Sequence, residues 1–166
     1  MKLDLETVDM SKIELAVRVQ DNVGIQKGSA KIGVTLNHEE TDETLKHGLI
    51  LETPYQGITP FLRRKNKPGY KIHRFKMTTE QAESAKLFRQ KAISLRAKNR
   101  NKIKMSLAAQ VYFCDYKDLP PYDDISMTFY VRTNPQKDFF TLFKEQDVKL
   151  NEAANKRRQE NRIYCD

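Results

Sequence analysis

Several stretches of the chain alternate apolar and polar residues with a period of two, the signature of a strand with one face buried. Residues 12–20 (KIELAVRVQ) place Ile13, Leu15, Val17 and Val19 on one side. After a turn marked by Asp21, Asn22, Gly24 and Gly28, residues 29–36 do the same with Ala30, Ile32, Val34 and Leu36. Residues 45–52 align Leu45, Leu49 and Leu51, beyond an acidic loop at 37–44. Alternation returns over 103–113 (Ile103, Met105, Leu107, Ala109, Val111, Phe113) and over 125–132 (Ile125, Met127, Phe129, Val131). The loop between these last two, DYKDLPPYDD, contains Pro120 and Pro121, which block regular structure. The pair therefore reads as an antiparallel hairpin.

The segment 61–77 reads as a further hairpin. Asn66, Pro68 and Gly69 are turn formers, because proline presets φ and glycine accepts positive φ. Phe61, Leu62, Tyr70, Ile72 and Phe75 flank them and suit strands.

Two helices follow from a period near 3.6 residues. Thr78, with Gln81 three residues on, makes a capping-box start for a helix over 79–100. Ala85, Phe88, Ala92 and Leu95 form its apolar stripe. Asn134-Pro135 resembles a second start, an N-cap followed by proline in the first turn. Phe139, Leu142, Phe143, Leu150, Ala153 and Ala154 fall within one helical arc after it. The polar run 156–166 is expected to fray.

These elements predict one α+β domain over residues 1–166. It has a mainly antiparallel sheet of about seven strands and two amphipathic helices, in the order five strands, helix, two strands, helix. A barrel-like closure of the first five strands is compatible with that order.

Charge sharpens the picture. The 166 residues carry a formal net charge of +8, but residues 61–105 alone hold 15 Lys/Arg against 2 Asp/Glu. The segments on either side are net acidic. Such density attracts polyanions. The plainer explanation is a solvated surface neutralised by acids elsewhere in the fold, such as Glu39, Glu40, Asp42 and Glu43.

In the expected hairpin, Arg63, Arg64, Lys65, Lys67, Lys71 and Arg74 would neutralise phosphates. Tyr70, beside the turn, is the stacking candidate for an unpaired base, whereas Phe61 and Phe75 read as core. In the helix, Lys86, Arg89, Arg96 and Arg100 rim the apolar stripe and could lie along a phosphate backbone. A third basic cluster, Lys156, Arg157, Arg158 and Arg162, is accounted for by a helix C-terminus, where cations offset the macrodipole.

Enzymatic signals are thin. The loop carboxylates Asp115, Asp118, Asp123 and Asp124 could hold Mg²⁺, and Asp115-Tyr116-Lys117 forms an acid-x-Lys unit of the sort some metal-dependent nucleases use. The earlier carboxylate such a site needs is missing, since no Asp or Glu lies between Glu83 and Asp115. His38, His47 and His73 have no ligand-like spacing, and no phosphate-binding glycine loop or nucleophile elbow occurs. Cys114 and Cys165 cannot make a four-cysteine zinc site and read as thiols of a reducing cytosol. No apolar run reaches the length of a membrane-spanning helix, and MKLDLETVDM lacks the features of a secretory signal.

The expectation is a non-enzymatic cytoplasmic protein, without cofactor or metal and without membrane association. It would bind nucleic acid, single-stranded DNA or RNA ahead of duplex because no helix-turn-helix pattern is present, with low sequence specificity. The alternative is a small inhibitor of the kind phages and mobile elements deploy, binding an acidic surface on a host protein or ribonucleoprotein. A metal-dependent nuclease is the third reading.

Overall fold

The computed structural model describes residues 8–41, 43–51, 53–54, 57–98, 102–149 and 152–166. A short 3-10 turn, Met10–Lys12, leads into β1 (Glu14–Gln20), followed by β2 (Val23–Ile25), β3 (Lys31–His38), β4 (Thr44–Ile50) and β5 (Thr53–Pro54). Then come α1 (Pro60–Lys65), β6 (Tyr70–Lys76), α2 (Thr79–Lys98), β7 (Ile103–Gln110), β8 (Phe113–Asp115), β9 (Asp124–Arg132), β10 (Phe140–Lys149) and α3 (Glu152–Glu160).

The ten strands form three antiparallel sheets, which corrects the expectation of one sheet of about seven. The largest has the order β10-β9-β1-β6-β5, the second pairs β2 with β8, and the third runs β4-β3-β7. The alternating positions of β1 and β3 are buried as their pattern requires: Leu15, Val17 and Val19, then Ile32, Val34 and Leu36. Together with Leu49, Phe75, Phe88 and Phe129 they make one core that joins all three sheets. On β1, Ala16 points the other way, into a second cluster with Leu62, Tyr130 and Phe139. The five-stranded sheet is thus covered on both faces. The main core and α2 lie on one, and α1 lies on the other.

Four local expectations are overturned, each for a physical reason. Residues 60–65 are helical, so the 61–77 hairpin does not exist. The Thr59 hydroxyl accepts from the Leu62 amide at 3.3 Å and Pro60 occupies the first turn, a capping arrangement that decides for helix. Residues 140–149 form a strand, not a helix. Asn134 Oδ1 accepts from the Gln136 amide at 2.9 Å and makes only a turn. β10 then pairs with β9 through two register shifts, so pairing overrides local helical preference. The run 103–113 splits at Val111–Tyr112: β7 pairs with β3, and β8 with β2. β9 pairs with β1 and β10, so 103–113 and 125–132 are not a hairpin.

Finally, Cys114 and Cys165 are not thiols; they form a disulfide, Cα–Cα 5.1 Å. The end of the chain is correspondingly tied down. α3 is followed by a bridge in which the Asp115 amide donates to the Ile163 carbonyl at 2.8 Å and the Cys165 amide donates to the Asp115 carbonyl at 3.0 Å. The segment 156–166 therefore does not simply fray.

Candidate nucleic-acid interface

α1 is short and amphipathic. Leu62 is fully buried against β1 and β9, and Phe61 meets Tyr130 edge-on at 6.1 Å. This seating leaves Arg63, Arg64 and Lys65 exposed on the last turn. None of the three forms an ion pair among the described residues; Lys65 Nζ lies 5.5 Å above the Phe61 ring. Cations here also offset the partial negative charge of the helix C-terminus. Arg18, from β1 beneath, donates to the Lys65 carbonyl and to the Thr128 hydroxyl, and so joins the cluster.

The chain then turns through Gly69, whose φ of 75° favours glycine, into β6. Tyr70 is half-buried, with Lys67 Nζ 4.2 Å and Arg18 Cζ 5.7 Å from its ring centre. Lys71 Nζ sits 3.9 Å over the Tyr116 ring and donates to its hydroxyl at 2.8 Å.

Arg74 is the exception in this row. It is buried on the outer face of the sheet, where Nε and Nη2 donate to Glu14 Oε2 at 2.9 and 2.6 Å and Nη1 donates to the Gly57 carbonyl. Its charge is spent inside the fold, and it leaves the set of phosphate contacts. Phe75 is core, and Phe61 is half-buried.

α2 starts as expected, with the Thr78 hydroxyl accepting from the Gln81 amide at 3.2 Å. Gln81 Oε1 does not complete the box; it lies 3.5 Å from the Ile50 amide. Ala85, Phe88 and Ala92 are buried and Leu95 half-buried, as the stripe requires. Lys86 is exposed and paired with Glu83 at 2.6 Å, while Arg89 and Arg96 are half-buried. Arg100 lies outside the described residues. Because α1 and α2 pack on opposite faces of the five-stranded sheet, their cations do not form one continuous surface.

Part of the positive excess is neutralised as composition suggested. Lys102 pairs with Glu40 at 2.5 Å and Lys104 with Glu39 at 2.6 Å. Lys104 holds the Glu39 carboxyl below its ordinary range.

The expected acid cluster is not assembled. Asp115 is buried on β8, whereas Asp118 and Asp123 are exposed on the loop after it and Asp124 is exposed at the start of β9. No group of three or more His, Cys, Asp or Glu suited to a metal occurs among the described residues. The histidines have structural surroundings. His38 Nδ1 accepts from the Glu40 and Thr41 amides, at 3.1 and 3.2 Å, and His47 stacks on Phe88 at 4.8 Å. His73 is pushed down to about 4, first by burial and then by Lys71.

Sequence reasoning missed Arg18 and Tyr116. Arg18 is a polar position on an alternating strand, and only its neighbours reveal its place. Tyr116 and Lys117 belong to the acid-x-Lys unit, whose chemistry pointed to the acid rather than to the ring beside it. No family model, curated protein or solved structure matches this chain. No helix among the described residues is long and apolar enough to cross a membrane.

Proposed function

We propose that the chain is a non-enzymatic nucleic-acid-binding protein that captures the phosphate backbone with low sequence specificity. One observation carries this reading: Arg63, Arg64 and Lys65 project together from the last turn of α1 without a carboxylate partner among the described residues. Three adjacent cations on a rigid element, with Lys67 and Arg18 beside them, suit a phosphate backbone better than a neutralised surface does. Lys86, Arg89 and Arg96 are a secondary set, since α2 lies across the sheet from α1. Capture by charge on phosphates carries no sequence information directly, hence the low specificity of this reading. In a reducing cytosol the Cys114–Cys165 pair would stand as two thiols.

The test is fluorescence anisotropy with labelled single-stranded DNA, duplex DNA and RNA over a salt series. The Arg63/Arg64/Lys65 triple alanine variant should weaken binding to every nucleic acid. It should also flatten the slope of log K against log salt by roughly 2, near 0.7 for each phosphate no longer neutralised on a single strand. Binding that is unchanged in the variant would sink the α1 assignment.

A second reading is an inhibitor that binds a host protein or ribonucleoprotein. It is favoured by β10, an edge strand of the five-stranded sheet that exposes Phe143 and Val148. Failure of every nucleic acid to bind at low salt would turn attention to that edge.

A further inference from the structure

We propose that the chain forms a two-fold dimer in solution by pairing the open edge of β7 with β7 of a second copy, which joins the two three-stranded sheets into one. This goes beyond the nucleic-acid reading and does not depend on it.

Among the described residues, β7 pairs with β3 on one side and with no strand on the other. The pairing runs from Lys31↔Gln110 to His38↔Ile103 without a register shift, so no bulge bends the edge. In an antiparallel strand, alternate residues turn their N–H and C=O away from the neighbour, and a regular edge is therefore a template for another strand. Proteins usually blunt such edges with shortness, charge, proline or bulges. β10 is bent by two register shifts, β5 contains Pro54, β4 exposes Lys46, and β2 and β8 are three residues long. β7 has eight residues, and positions 105–110, MSLAAQ, hold no charge and no proline. Lys104, near its start, is paired with Glu39 at 2.6 Å.

The same edge leaves core surface open. Met105, Leu107 and Ala109 lie opposite Leu36, Val34 and Ile32 of β3, on the core side. The β3 residues are buried, whereas the three on β7, with Ile103 before them, are only half-buried. A second strand laid along β7 covers this apolar row and satisfies the outward backbone groups at once.

The pattern is complementary to itself, which favours a second copy as the occupant. A two-fold axis normal to the sheet preserves its faces only when the pairing is centred on a residue. Centred on Ser106, it sets Met105 opposite Leu107 and Ile103 opposite Ala109, with Lys104 opposite Ala108 on the outer face. Centred on Leu107, it sets Met105 opposite Ala109, Ser106 opposite Ala108 and Lys104 opposite Gln110. In both registers apolar meets apolar and no like charges oppose each other across the strands. The contact is isologous, so it closes at two copies. The pair would carry two α1 clusters, which raises avidity for a long phosphate backbone.

The experiment measures the mass of the full chain by light scattering and sedimentation velocity, from about 1 to 200 μM at about 0.5 M salt, where bridging by nucleic acid is suppressed. The native chain should pass from the single-chain mass to twice that mass across the series. Ser106→Lys with Ala108→Lys, at two exposed positions, sets lysine against lysine in either register. That variant should keep its circular dichroism and weaken self-association at least about ten-fold. A fluorescently labelled lysine variant, mixed at about 0.05 M salt with the chain carrying Ser106→Glu and Ala108→Glu, should sediment as a pair again. A lysine variant that had merely misfolded would not be rescued in this way. A native chain that keeps the single-chain mass at the top of the series overturns the proposal and leaves the edge to a strand of another protein. A dimer undiminished in the lysine variant overturns it as well, because another surface then makes the contact.

Discussion

Arg74 on β6 and Glu14 on β1 are joined by two hydrogen bonds on the outer face of the five-stranded sheet, with side chains only 7% and 14% exposed. Arg132 on β9 donates to the other carboxylate oxygen of Glu14, so one acid binds two arginines from the neighbouring strands. Both guanidinium groups also lie over the Phe139 ring, at 5.4 and 5.1 Å. Three strands and the loop before β10 are tied at this point.

Removing the acid should leave two cations, Arg74 buried and Arg132 largely buried, facing each other. Glu14→Gln is expected to destabilise the fold by about 3 kcal/mol, the scale of breaking one partner from a buried ion pair. Urea denaturation would measure it. A change within about 0.5 kcal/mol, typical of exposed sites, would show that water already shares these charges.

The Cys114–Cys165 bond has a sequence separation of 51 residues. Constraining a loop of that length in the unfolded chain contributes about 4 kcal/mol in the entropic account, and about 3 is typical of measurement. Thermal unfolding should fall by roughly 10 °C on reduction, at about 2–4 °C per kcal/mol for a chain of this size. Cys165→Ser should show the lower midpoint with or without reductant. A midpoint unmoved by reductant in the native chain would mean that the bond does not form in solution.

Gly24 gives an independent check of the same contact. A methyl group there would fall 2.0 Å from the Cys165 Sγ, far inside van der Waals distance. Gly24→Ala should therefore disfavour the disulfide and raise the thiol titre of the unfolded, non-reduced protein towards two per chain. A titre that stays at zero would mean the tail can shift to admit the methyl.

Legibility in the sequence follows the range of the forces involved. β1, β3 and β4 were readable because the main core takes every second residue of each, Leu15, Val17 and Val19 on β1, Ile32, Val34 and Leu36 on β3, and Leu45 and Leu49 on β4. α2 was readable from Thr78 and its stripe. β10 was not, because FTLFKEQDVK contains good helix formers and becomes a strand only by pairing with β9. The α1 start was present in Thr59-Pro60, but the apolar Phe61 and Leu62 also fitted a hairpin arm. Which cations are exposed was not readable at all. Arg74 and Lys71 belong to one basic run, yet one is buried against Glu14 and the other meets Tyr116. Those partners lie 60 and 45 residues away along the chain. The disulfide needed the same long-range knowledge.

The histidines give a last prediction, on acid stability. His73 is held neutral, its pKa pushed down to about 4 by burial and by Lys71, and its Nε2 is buried without a hydrogen-bond partner among the described residues. His47 is lowered too, by burial and then by Lys91. In the unfolded chain both titrate near about 6.5. Between about pH 6.5 and 4 the unfolded state therefore binds more protons than the folded one, and stability falls as pH falls. His73 alone contributes on the order of 3 kcal/mol above pH 6.5, and that contribution is lost on the way down to pH 4. Urea midpoints measured from pH 7.5 to 4 should drop over that window. The His73→Phe variant, which cannot titrate, should flatten most of the slope. A midpoint that holds steady between pH 6.5 and 4.5 would show that protonated His73 is solvated in the fold.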